Sequence, residues 1–323
     1  MTVSIIIAVK AWGRNLEDCV SKCLAQDYPD FEIIVLPDKE AATVRGQSPS
    51  GTVPLRIIAT GVVSPAKKRD IAMEHAKGEI LAFIDDDAYP KADWLKEAMK
   101  NFSDPRVAAV GGPAVTPKED DLMQQASGAV YSNLLVSAKH VRRYLPLKGE
   151  EVDDYPSCNF FVRKLVFQEL GGFQTDFWPG EDTKLCLDIT KKLGKKIIYD
   201  PKVLVFHHRR PLFLAHLKQV ASYALHRGYF VKRFPETSRR FSYFVPALFV
   251  LYVVTGSVLS GLFAPARSIY LAGIFFYLFA VLISSISTRL NLIIFVFTGT
   301  ILTHLTYGVY FLKGLLSKRL KEE

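Results

Sequence analysis

Three groups of ionisable side chains offer chemistry in this sequence: the acidic triplet Asp85-Asp86-Asp87, the acidic pair Glu181-Asp182 and the histidine pair His207-His208. Two carboxylates spaced like the first and last members of the triplet suit a hard divalent cation, Mg²⁺ or Mn²⁺. Such a cation prefers oxygen ligands and keeps phosphates and waters in its remaining positions. On the triplet alone, a metal site and a simple loop or helix-cap cluster are equal alternatives.

The elements before the triplet must position it. Short apolar strands are expected at Thr2 to Val9, Phe31 to Leu36, Leu55 to Ala59 and Glu79 to Ile84. Helices are expected between them, the first from a cap at Asn15 to about Gln26 and the next from Ser64-Pro65 to Gly78. A polar loop containing Gly46, Pro49 and Gly51 is expected before the third strand.

Strands that alternate with helices are typical of an α/β fold with a parallel sheet. Such sheets bind their ligands beyond the carboxyl ends of the strands. Asp38 follows the second strand, and the acidic triplet follows the fourth. This placement favours a functional site over a chance acidic cluster.

The second half is less regular. Further helices are expected at Pro90 to Phe102, Asp120 to about Lys139, Glu181 to Leu193 and Pro211 to Phe234. Further strands are expected at Val107 to Val110, Phe160 to Val162, Lys196 to Tyr199 and Val203 to Phe206. The last helix is amphipathic, which suits either an interfacial helix at a membrane or core packing.

The charge is concentrated before an apolar tail. The formal net charge is +9, and thirteen Lys and Arg residues lie between Lys191 and Arg240 against Asp200 and Glu236. A basic stretch ahead of apolar spans suits an anionic membrane leaflet. A solvated basic face is the alternative, and no recognition module accompanies the charge, so we expect no nucleic-acid partner.

The tail from Phe241 to Leu312 contains only Arg267 and Arg289 as charged residues. It divides into three stretches near the ~20 residues that cross a bilayer, roughly Tyr243 to Phe263, Ile269 to Ser287 and Leu290 to Leu312. Three crossings would place the basic tail, residues 313–323, outside, whereas the positive-inside rule favours inside. Either that rule fails here, or one stretch is re-entrant or interfacial.

The four cysteines have no metal-binding spacing, so reduced thiols in the cytosol are expected. The first apolar strand is too short for a signal peptide.

The ordered segments SIIIAVK, FEIIVLPD, SPAKKRDIAMEHAKGEILAFIDDDAYP, YPSCNFFVRK, LGGF, FWPGEDTKLCLDITKKLG and VFHHRR resemble glycosyltransferase family 2. The resemblance covers about residues 2 to 210. The segment after the second strand reads Leu-Pro-Asp-Lys in place of the common Asp-Asp-Gly-Ser type, and Lys-Arg-Asp replaces the usual Ala-Arg-Asn in the helix that follows. The Asn159 segment is also unusually aromatic.

The resemblance implies a GT-A fold, which is Rossmann-like with a mostly parallel sheet, followed by transmembrane helices. It implies a nucleotide-sugar donor and Mg²⁺ or Mn²⁺ as cofactor. The implied donor-binding residues are Ala8, Val9, Asp38, Arg69, Asp85 and Asp86, with Asp38 on the base. From the residues alone, Arg69 reads more simply as a surface charge of a helix.

The resemblance also assigns the reacting groups. Asp87 and His207 would hold the metal, with His208 as the alternative in register. Asp182 would be the general base of an inverting transfer, and Asn159, Trp178 and Glu181 would contact the acceptor or the sugar. Inversion needs one base opposite the leaving group and no enzyme nucleophile.

The function expected is therefore transfer of a sugar, from a donor that is UDP-linked in most of the family, to a membrane-associated acceptor. A polyisoprenyl phosphate or a lipid-linked saccharide is the acceptor expected, at the cytosolic face of a bacterial-type inner membrane. The organisation expected is a catalytic domain at residues 1–210, a basic juxtamembrane helix at 211–240 and a membrane region of about three helices at 241–312. A processive polysaccharide synthase or a catalytically silent sugar-nucleotide-binding scaffold is the alternative, and the oligomeric state is not readable.

Overall fold

The computed structural model describes residues 1–39 and 53–321. The predicted loop at Gly46, Pro49 and Gly51 lies outside these residues. The chain divides into two compact units. A sheet unit comprises residues 1–115 and 142–208, and a helical unit comprises residues 116–141 and 209–321.

The sheet unit contains eleven strands among the described residues. They are β1 (Val3–Ala8), β2 (Phe31–Leu36), β3 (Leu55–Ile57), β4 (Ile80–Asp85), β5 (Ala88–Pro90), β6 (Val107–Gly111), β7 (Ala114–Val115), β8 (Glu150–Val152), β9 (Asn159–Arg163), β10 (Lys196–Tyr199) and β11 (Val205–His207). Eight form one sheet in the order β3-β2-β1-β4-β9-β6-β10-β8, and β5-β11-β7 form a small second sheet.

The α-helices of both units follow the same chain order. They are α1 (Arg14–Leu24), α2 (Pro65–His75), α3 (Trp94–Asn101), α4 (Leu122–Tyr131), α5 (Leu134–Ser137), α6 (Lys164–Glu169), α7 (Glu181–Leu187), α8 (Leu214–Arg233), α9 (Pro235–Ser238), α10 (Phe241–Leu262), α11 (Ala264–Ile286) and α12 (Ile293–Leu316). A π-helical turn, Asp188–Lys192, continues α7. Helices α4, α5 and α8 to α12 belong to the helical unit.

The large sheet is parallel where the sequence predicts βαβ units. Strand β1 pairs in parallel with both β2 and β4, and β3 extends this side beyond β2. The side chains of these central strands are buried on both faces, as their continuous apolar sequences predict. Strand β9 is inserted antiparallel between β4 and β6, so the sheet is mixed.

Most predicted elements of the sheet unit are present, but several of their boundaries were wrong. Helix α1 is capped by Gly13 without a side-chain hydrogen bond, not by Asn15. Helix α2 is capped by Ser64 as predicted, but it ends at His75. Gly78 does not end this helix; it allows close packing against β1, since a Cβ there would lie 2.4 Å from the backbone nitrogen of Ser4.

The helix predicted to begin at Pro90 begins later. Residues Ala88–Pro90 form strand β5, and α3 starts at Trp94. A proline at the end of a short strand on a small sheet removes no hydrogen bond that the ladder needs. The stretch predicted as one helix from Asp120 to Lys139 is also divided, because α4 ends at Tyr131 and α5 follows a cap at Asn133.

The helical unit contains the apolar tail. Among the described residues, three helical segments are long and apolar enough to cross a bilayer: Phe241–Leu262, Ala264–Ile286 and Leu290–Leu316. The predicted amphipathic helix is present as α8, which packs along α12.

Candidate active site

The carboxyl ends of three neighbouring strands form the floor of the site. In the sheet register Ala8 of β1 lies between Leu36 of β2 and Asp85 of β4. Val9 continues β1 and is buried, and its N–H donates to the carbonyl oxygen of Leu36. Asp38 follows two residues after β2, so the predicted donor-binding residues Ala8, Val9 and Asp38 share one edge of the sheet with the acidic triplet.

Arg69 is a buried link between two acidic segments, not a surface charge. Its side chain on α2 is 3% exposed, and its two terminal nitrogens donate to Asp85 Oδ1 at 2.7 Å and to Glu181 Oε1 at 3.2 Å. The guanidinium also lies 5.9 Å from the centroid of the Phe83 ring. Arg69 therefore joins the end of β4 to the start of α7, which are 96 residues apart in sequence (181 minus 85).

A candidate metal cluster lies beside this link. Ligand atoms of Asp85, Asp87 and His207 all lie within 4.8 Å of one another, and His207 Nε2 is 3.0 Å from Asp87 Oδ1. The set contains two carboxylates and one imidazole at partly exposed positions. Oxygen-rich sets of this kind fit Mg²⁺ or Mn²⁺.

The small second sheet explains how His207 reaches the triplet. Strand β11 pairs antiparallel with β5, so His207 is opposite Ala88, and the His208 N–H donates to the Asp87 carbonyl oxygen at 3.0 Å. The His208 ring lies 5.6 Å from the Tyr89 ring. Of the two histidines, His207 is the one whose ring lies in the candidate metal cluster with Asp85 and Asp87.

Asp86 is the middle residue of the triplet and has a shifted pKa. Burial, together with the charges of Asp87 and Asp85, raises the pKa of its carboxyl to about 6. The triplet thus concentrates negative charge where a cation would relieve it.

The acidic pair begins α7 after Gly180, whose φ is +126°. Asp182 accepts hydrogen bonds from the backbone N–H groups of Thr183 at 2.8 Å and Ser157 at 3.3 Å. Glu181 is 4% exposed, and burial followed by the charge of Asp182 raises its pKa to about 7, against the opposing effect of Arg69. The helix therefore presents two carboxyls in different environments, one buried against Arg69 and one held by backbone donors.

Lys68 is a further site residue, beyond those predicted from the sequence. Its ammonium is buried and donates to the carbonyl oxygens of Val9 at 2.5 Å and Leu36 at 3.1 Å, and it forms an ion pair with Asp38. It therefore ties the ends of β1 and β2 to the predicted base-binding carboxylate. The sequence signal was the replacement of the common alanine before Arg69 by a lysine.

Two residues predicted to contact acceptor or sugar have contrasting surroundings. Trp178 is 48% exposed, so its ring is available at the surface of the sheet unit. Asn159 is fully buried: its Oδ1 accepts from Trp94 Nε1 at 2.9 Å, and its Nδ2 donates to the carbonyl oxygens of Gly112 and Val203. Because these bonds occupy the Asn159 amide, this residue joins three segments of the core and offers no surface to a substrate.

The arrangement has the parts for transfer chemistry at a diphosphate: a cation site, a carboxylate held by backbone donors, and a floor of strand ends. It lacks a histidine-activated serine or cysteine among the site residues described above. Chemistry that needs no enzyme nucleophile is what these groups support.

Comparison with known proteins extends these observations. A model of the family described as Glycosyl transferase family 2 matches residues 4–171, which is more than half of the chain. The pre-mycofactocin glycosyltransferase of Mycobacterium tuberculosis is 29% identical over 147 residues, which cover 45% of this chain and 30% of that protein. The chain therefore spans less than a third of the length of this relative.

A second relative is matched over more of its length. The glucosyl-dolichyl phosphate glucuronosyltransferase of Haloferax volcanii is 23% identical over 224 residues, which cover 64% of this chain and 69% of that protein. Among solved structures, the mannosyltransferase PcManGT from Pyrobaculum calidifontis, in complex with GDP-Man and Mn²⁺, is similar at a TM-score of 0.54 and 20% identity. The match covers 98% of this chain and 88% of that one, and it establishes a shared fold.

Proposed function

This chain belongs to glycosyl transferase family 2 and has the GT-A fold, and from that premise we propose that it transfers a sugar from a nucleotide-sugar donor to a membrane-associated acceptor. The observation that carries the proposal is the buried Arg69, because it contacts both Asp85 at the end of β4 and Glu181 at the start of α7. Buried titratable groups that are held by a specific charged partner are typical of functional sites.

The donor diphosphate belongs beside Asp85, Asp87 and His207. These residues fit a divalent cation in number, chemistry and spacing, with Mg²⁺ or Mn²⁺ as the candidates. A cation bound there would stabilise the negative charge that develops on the departing nucleoside diphosphate. Asp85 is also held by Arg69, so its orientation is fixed before any donor binds.

The nucleoside belongs at the ends of β1 and β2. Ala8 and Val9 line this edge, and the Asp38 carboxylate, paired with Lys68, accepts a hydrogen bond from an N–H group of the base. Uracil is the base we rank first. Asp86 lies between the triplet's outer carboxylates and is the candidate contact to the ribose.

Asp182 is the candidate general base. In an inverting transfer the acceptor oxygen attacks the anomeric carbon, the bond from that carbon to the diphosphate oxygen breaks, and Asp182 takes the acceptor proton. Its two backbone donors, Thr183 N–H and Ser157 N–H, hold the carboxylate in place. Glu181 and the exposed Trp178 are the candidate contacts to the sugar or the acceptor.

The acceptor is proposed to be lipid-linked. Three apolar helices in the helical unit support a membrane location, and the Haloferax volcanii relative is by its name a transferase acting on a dolichyl phosphate glucoside. A polyisoprenyl phosphate and a lipid-linked saccharide are the two candidate acceptors. The catalytic domain, residues 1–210, would work at the cytosolic face of an inner membrane.

Substitution at the base tests the mechanism. Asp182→Asn removes the proton acceptor but keeps the shape, so we expect donor affinity to be retained and transfer to a hydroxyl acceptor to fall by ~10²-fold or more. Asp188→Asn, on the π-helical turn that continues α7, is the matched control and should retain activity. Equal turnover by Asp182→Asn and the wild type would exclude this role.

The same pair of variants separates the two acceptors. A phosphate monoester is mostly ionised at neutral pH and needs no base, because its second pKa is about 6. Asp182→Asn should therefore have a small effect on transfer to a polyisoprenyl phosphate and a large effect on transfer to a saccharide hydroxyl. A large effect with the natural acceptor would identify that acceptor as a hydroxyl group.

Substitution at the metal site tests the cofactor. Asp87→Ala should abolish the thermal stabilisation that a matching nucleotide-sugar gives in Mn²⁺, whereas Asp27→Ala at an exposed surface position should preserve it. A screen of nucleotide-sugars by this readout also identifies the donor. Equal donor affinity of the wild type with Mn²⁺ and with a chelator would contradict the metal proposal.

A further inference from the structure

We propose that α12 does not cross the bilayer: together with α8 it forms a two-helix layer at the lipid headgroups, and α10 and α11 alone supply the crossings. The layer faces the anionic leaflet on the side where α10 begins. This inference is independent of the transfer chemistry, since it rests on contacts within the helical unit.

Helices α10 and α11 form an antiparallel hairpin. One residue, Phe263, separates them, and the residues that contact each other lie progressively further from Phe263 along both helices. Tyr252 OH donates to the carbonyl oxygen of Tyr270 at 3.0 Å, and further along the Phe249 and Tyr277 rings stack 4.1 Å apart. The first turns of α10 and the last turns of α11 therefore lie on the same side of a membrane that the hairpin crosses.

Both ends of α12 lie on that side. Its start follows the end of α11 by six residues, 287–292, which span at most ~20 Å and cannot return across a ~30 Å hydrocarbon core. Its last turns contact the first turns of α10: the Phe311 and Phe244 rings are 5.0 Å apart, and a Cβ on Gly308 would lie 2.3 Å from the Pro246 carbonyl oxygen. In a third crossing, the first turns of α12 would make these contacts instead.

Helix α8 runs beside α12 in the same direction. His216 Nε2, near the start of α8, lies 2.9 Å from Thr303 Oγ1 in the middle of α12. Lys232 Nζ, near the end of α8, donates to the carbonyl oxygen of Ser317, just after α12, at 2.5 Å. Between them, a Cβ on Gly314 would lie 2.0 Å from the Leu225 carbonyl oxygen. Helix α8 is thus paired with the second half of α12, and the paired segments share one depth in a membrane.

The charges of α8 exclude a buried depth. This helix carries Lys218, Arg227, Lys232 and Arg233 and no carboxylate. A charge at the centre of a bilayer costs ~2.5–3.5 kcal/mol on insertion scales, so a layer that contains α8 is stable only at the interface. The burial of the three helices supports the same conclusion. The apolar segment that includes α12 is 39% buried within the protein, whereas those of α10 and α11 are only 6% and 11% buried.

The positive charge of the helical unit indicates that the two-helix layer binds an anionic lipid leaflet. Residues 209–321 contain fourteen Lys and Arg residues and one carboxylate, Glu236. The basic residues before α10 and after α12 fall on one side, whereas Arg267 is the sole charge near the Phe263 link at the other. Two crossings place the basic tail on the side of the sheet unit, which satisfies the positive-inside rule.

Cysteine accessibility in the full-length protein tests the topology. In a Cys158→Ser background, where the remaining cysteines are buried, three single variants report three places: Ser103→Cys in the sheet unit, Ser268→Cys at the start of α11 and Ser317→Cys after α12. With a membrane-impermeant maleimide on intact bacterial cells, we expect Ser268→Cys alone to react. Ser103→Cys and Ser317→Cys should react only after permeabilisation.

Labelling of Ser317→Cys in intact cells would overturn the proposal, because it requires a third crossing. Failure of Ser268→Cys to react from outside would overturn it as well, because the hairpin must emerge there.

Spin-label depth provides a second measurement that does not depend on sidedness. Leu305→Cys reports the middle of α12, and Phe275→Cys reports the middle of α11 as the matched control. In lipid bilayers we expect the Leu305 label to collide with a water-soluble nickel chelate several-fold more often than the Phe275 label. Equal, deep positions for both labels would show that α12 spans the membrane.

Discussion

At the scale of single residues, the site depends on buried cations that hold carboxylates in place. Arg69 holds Asp85 and Glu181, and Lys68 holds Asp38. Each cation is within a few per cent of complete burial, so neither can be lost without leaving an acidic partner or a carbonyl oxygen unsatisfied. Pre-organisation of this kind fixes ligand and base geometry before a donor arrives.

We predict that Lys68→Met weakens donor binding by about tenfold or more, because a hydrogen bond to a charged group contributes ~1.5–3 kcal/mol and Asp38 would lose its partner. The Val9 and Leu36 carbonyl oxygens would also lose their donor. Titration of the nucleoside diphosphate against each variant measures the effect. Lys67→Met, on the neighbouring residue of α2, is the control, and an equal loss of affinity there would contradict a role specific to Lys68.

We predict that Glu181 makes the protein less stable as pH rises. Its pKa is raised from 4.5 to about 7 in the folded state. Between these values the folded state holds a proton that the unfolded state has released, so the contribution to stability is present below about pH 4.5 and lost by about pH 7. The loss is at most roughly 3 kcal/mol.

Melting temperatures of the wild type and Glu181→Gln at pH 5 and pH 7.5 check this prediction. The wild type should lose more stability between the two pH values than the variant, which cannot titrate at this position. Parallel changes in both proteins would assign the pH dependence to other groups.

At the scale of elements, the sequence predicted the strands and helices that position the acidic triplet. Strands β1, β2 and β4 are almost wholly apolar runs, and short runs of that kind are typical of a sheet covered on both faces. The placement of Asp38 and Asp85 at one edge then follows from parallel pairing. Asp182 at the start of α7 was likewise readable from Gly180 and the two acidic residues after it.

What could not be predicted depends on contacts between distant segments. Nothing local to β9 specifies that it enters antiparallel between β4 and β6, so the burial of Asn159 at its start could not be predicted. In the same way, Arg69 looked like a helix surface charge because both of its partners come from other elements. Burial of a polar side chain becomes visible only when its partners are known.

We predict that Asn159→Ala lowers the free energy of unfolding by about 3 kcal/mol or more, because each buried polar group left without a partner costs ~1–3 kcal/mol. The groups affected are Trp94 Nε1–H and the carbonyl oxygens of Gly112 and Val203. Thermal unfolding measures the loss, and Asn101→Ala at a part-buried position is the control. A stable Asn159→Ala variant with a raised acceptor KM would instead support the predicted substrate contact.

At the scale of the whole molecule, charge and hydropathy divide the chain into a sheet unit that carries the site and a helical unit suited to a membrane surface. Most cations of the helical unit lie in or just before α8, around α9 and after α12, and each one near an anionic leaflet contributes about 1 kcal/mol. Membrane attachment should therefore depend on the lipid headgroups as well as on the apolar helices.

We predict that the protein melts at a higher temperature in nanodiscs with anionic lipid than in zwitterionic ones. The double substitution Lys232→Gln and Arg233→Gln at the end of α8 should reduce this difference, because it removes two cations from the proposed surface. Arg267→Gln, near the opposite end of the hairpin, should leave it unchanged. A lipid dependence that is equal in all three proteins would contradict an anionic contact at α8.

The glycines between α8 and α12 have a consequence for mechanics. A Cβ on Gly228 would lie 2.1 Å from the Phe311 carbonyl oxygen, and one on Gly314 would lie 2.0 Å from that of Leu225, so the two backbones touch directly. With no flexible side chains between them at these points, neither helix can slide or roll against the other without steric collision. Lateral pressure from the surrounding lipid would consequently displace the two helices as one stiff body. Stretching or thinning of the bilayer would then move the start of α10 and the end of α11 together.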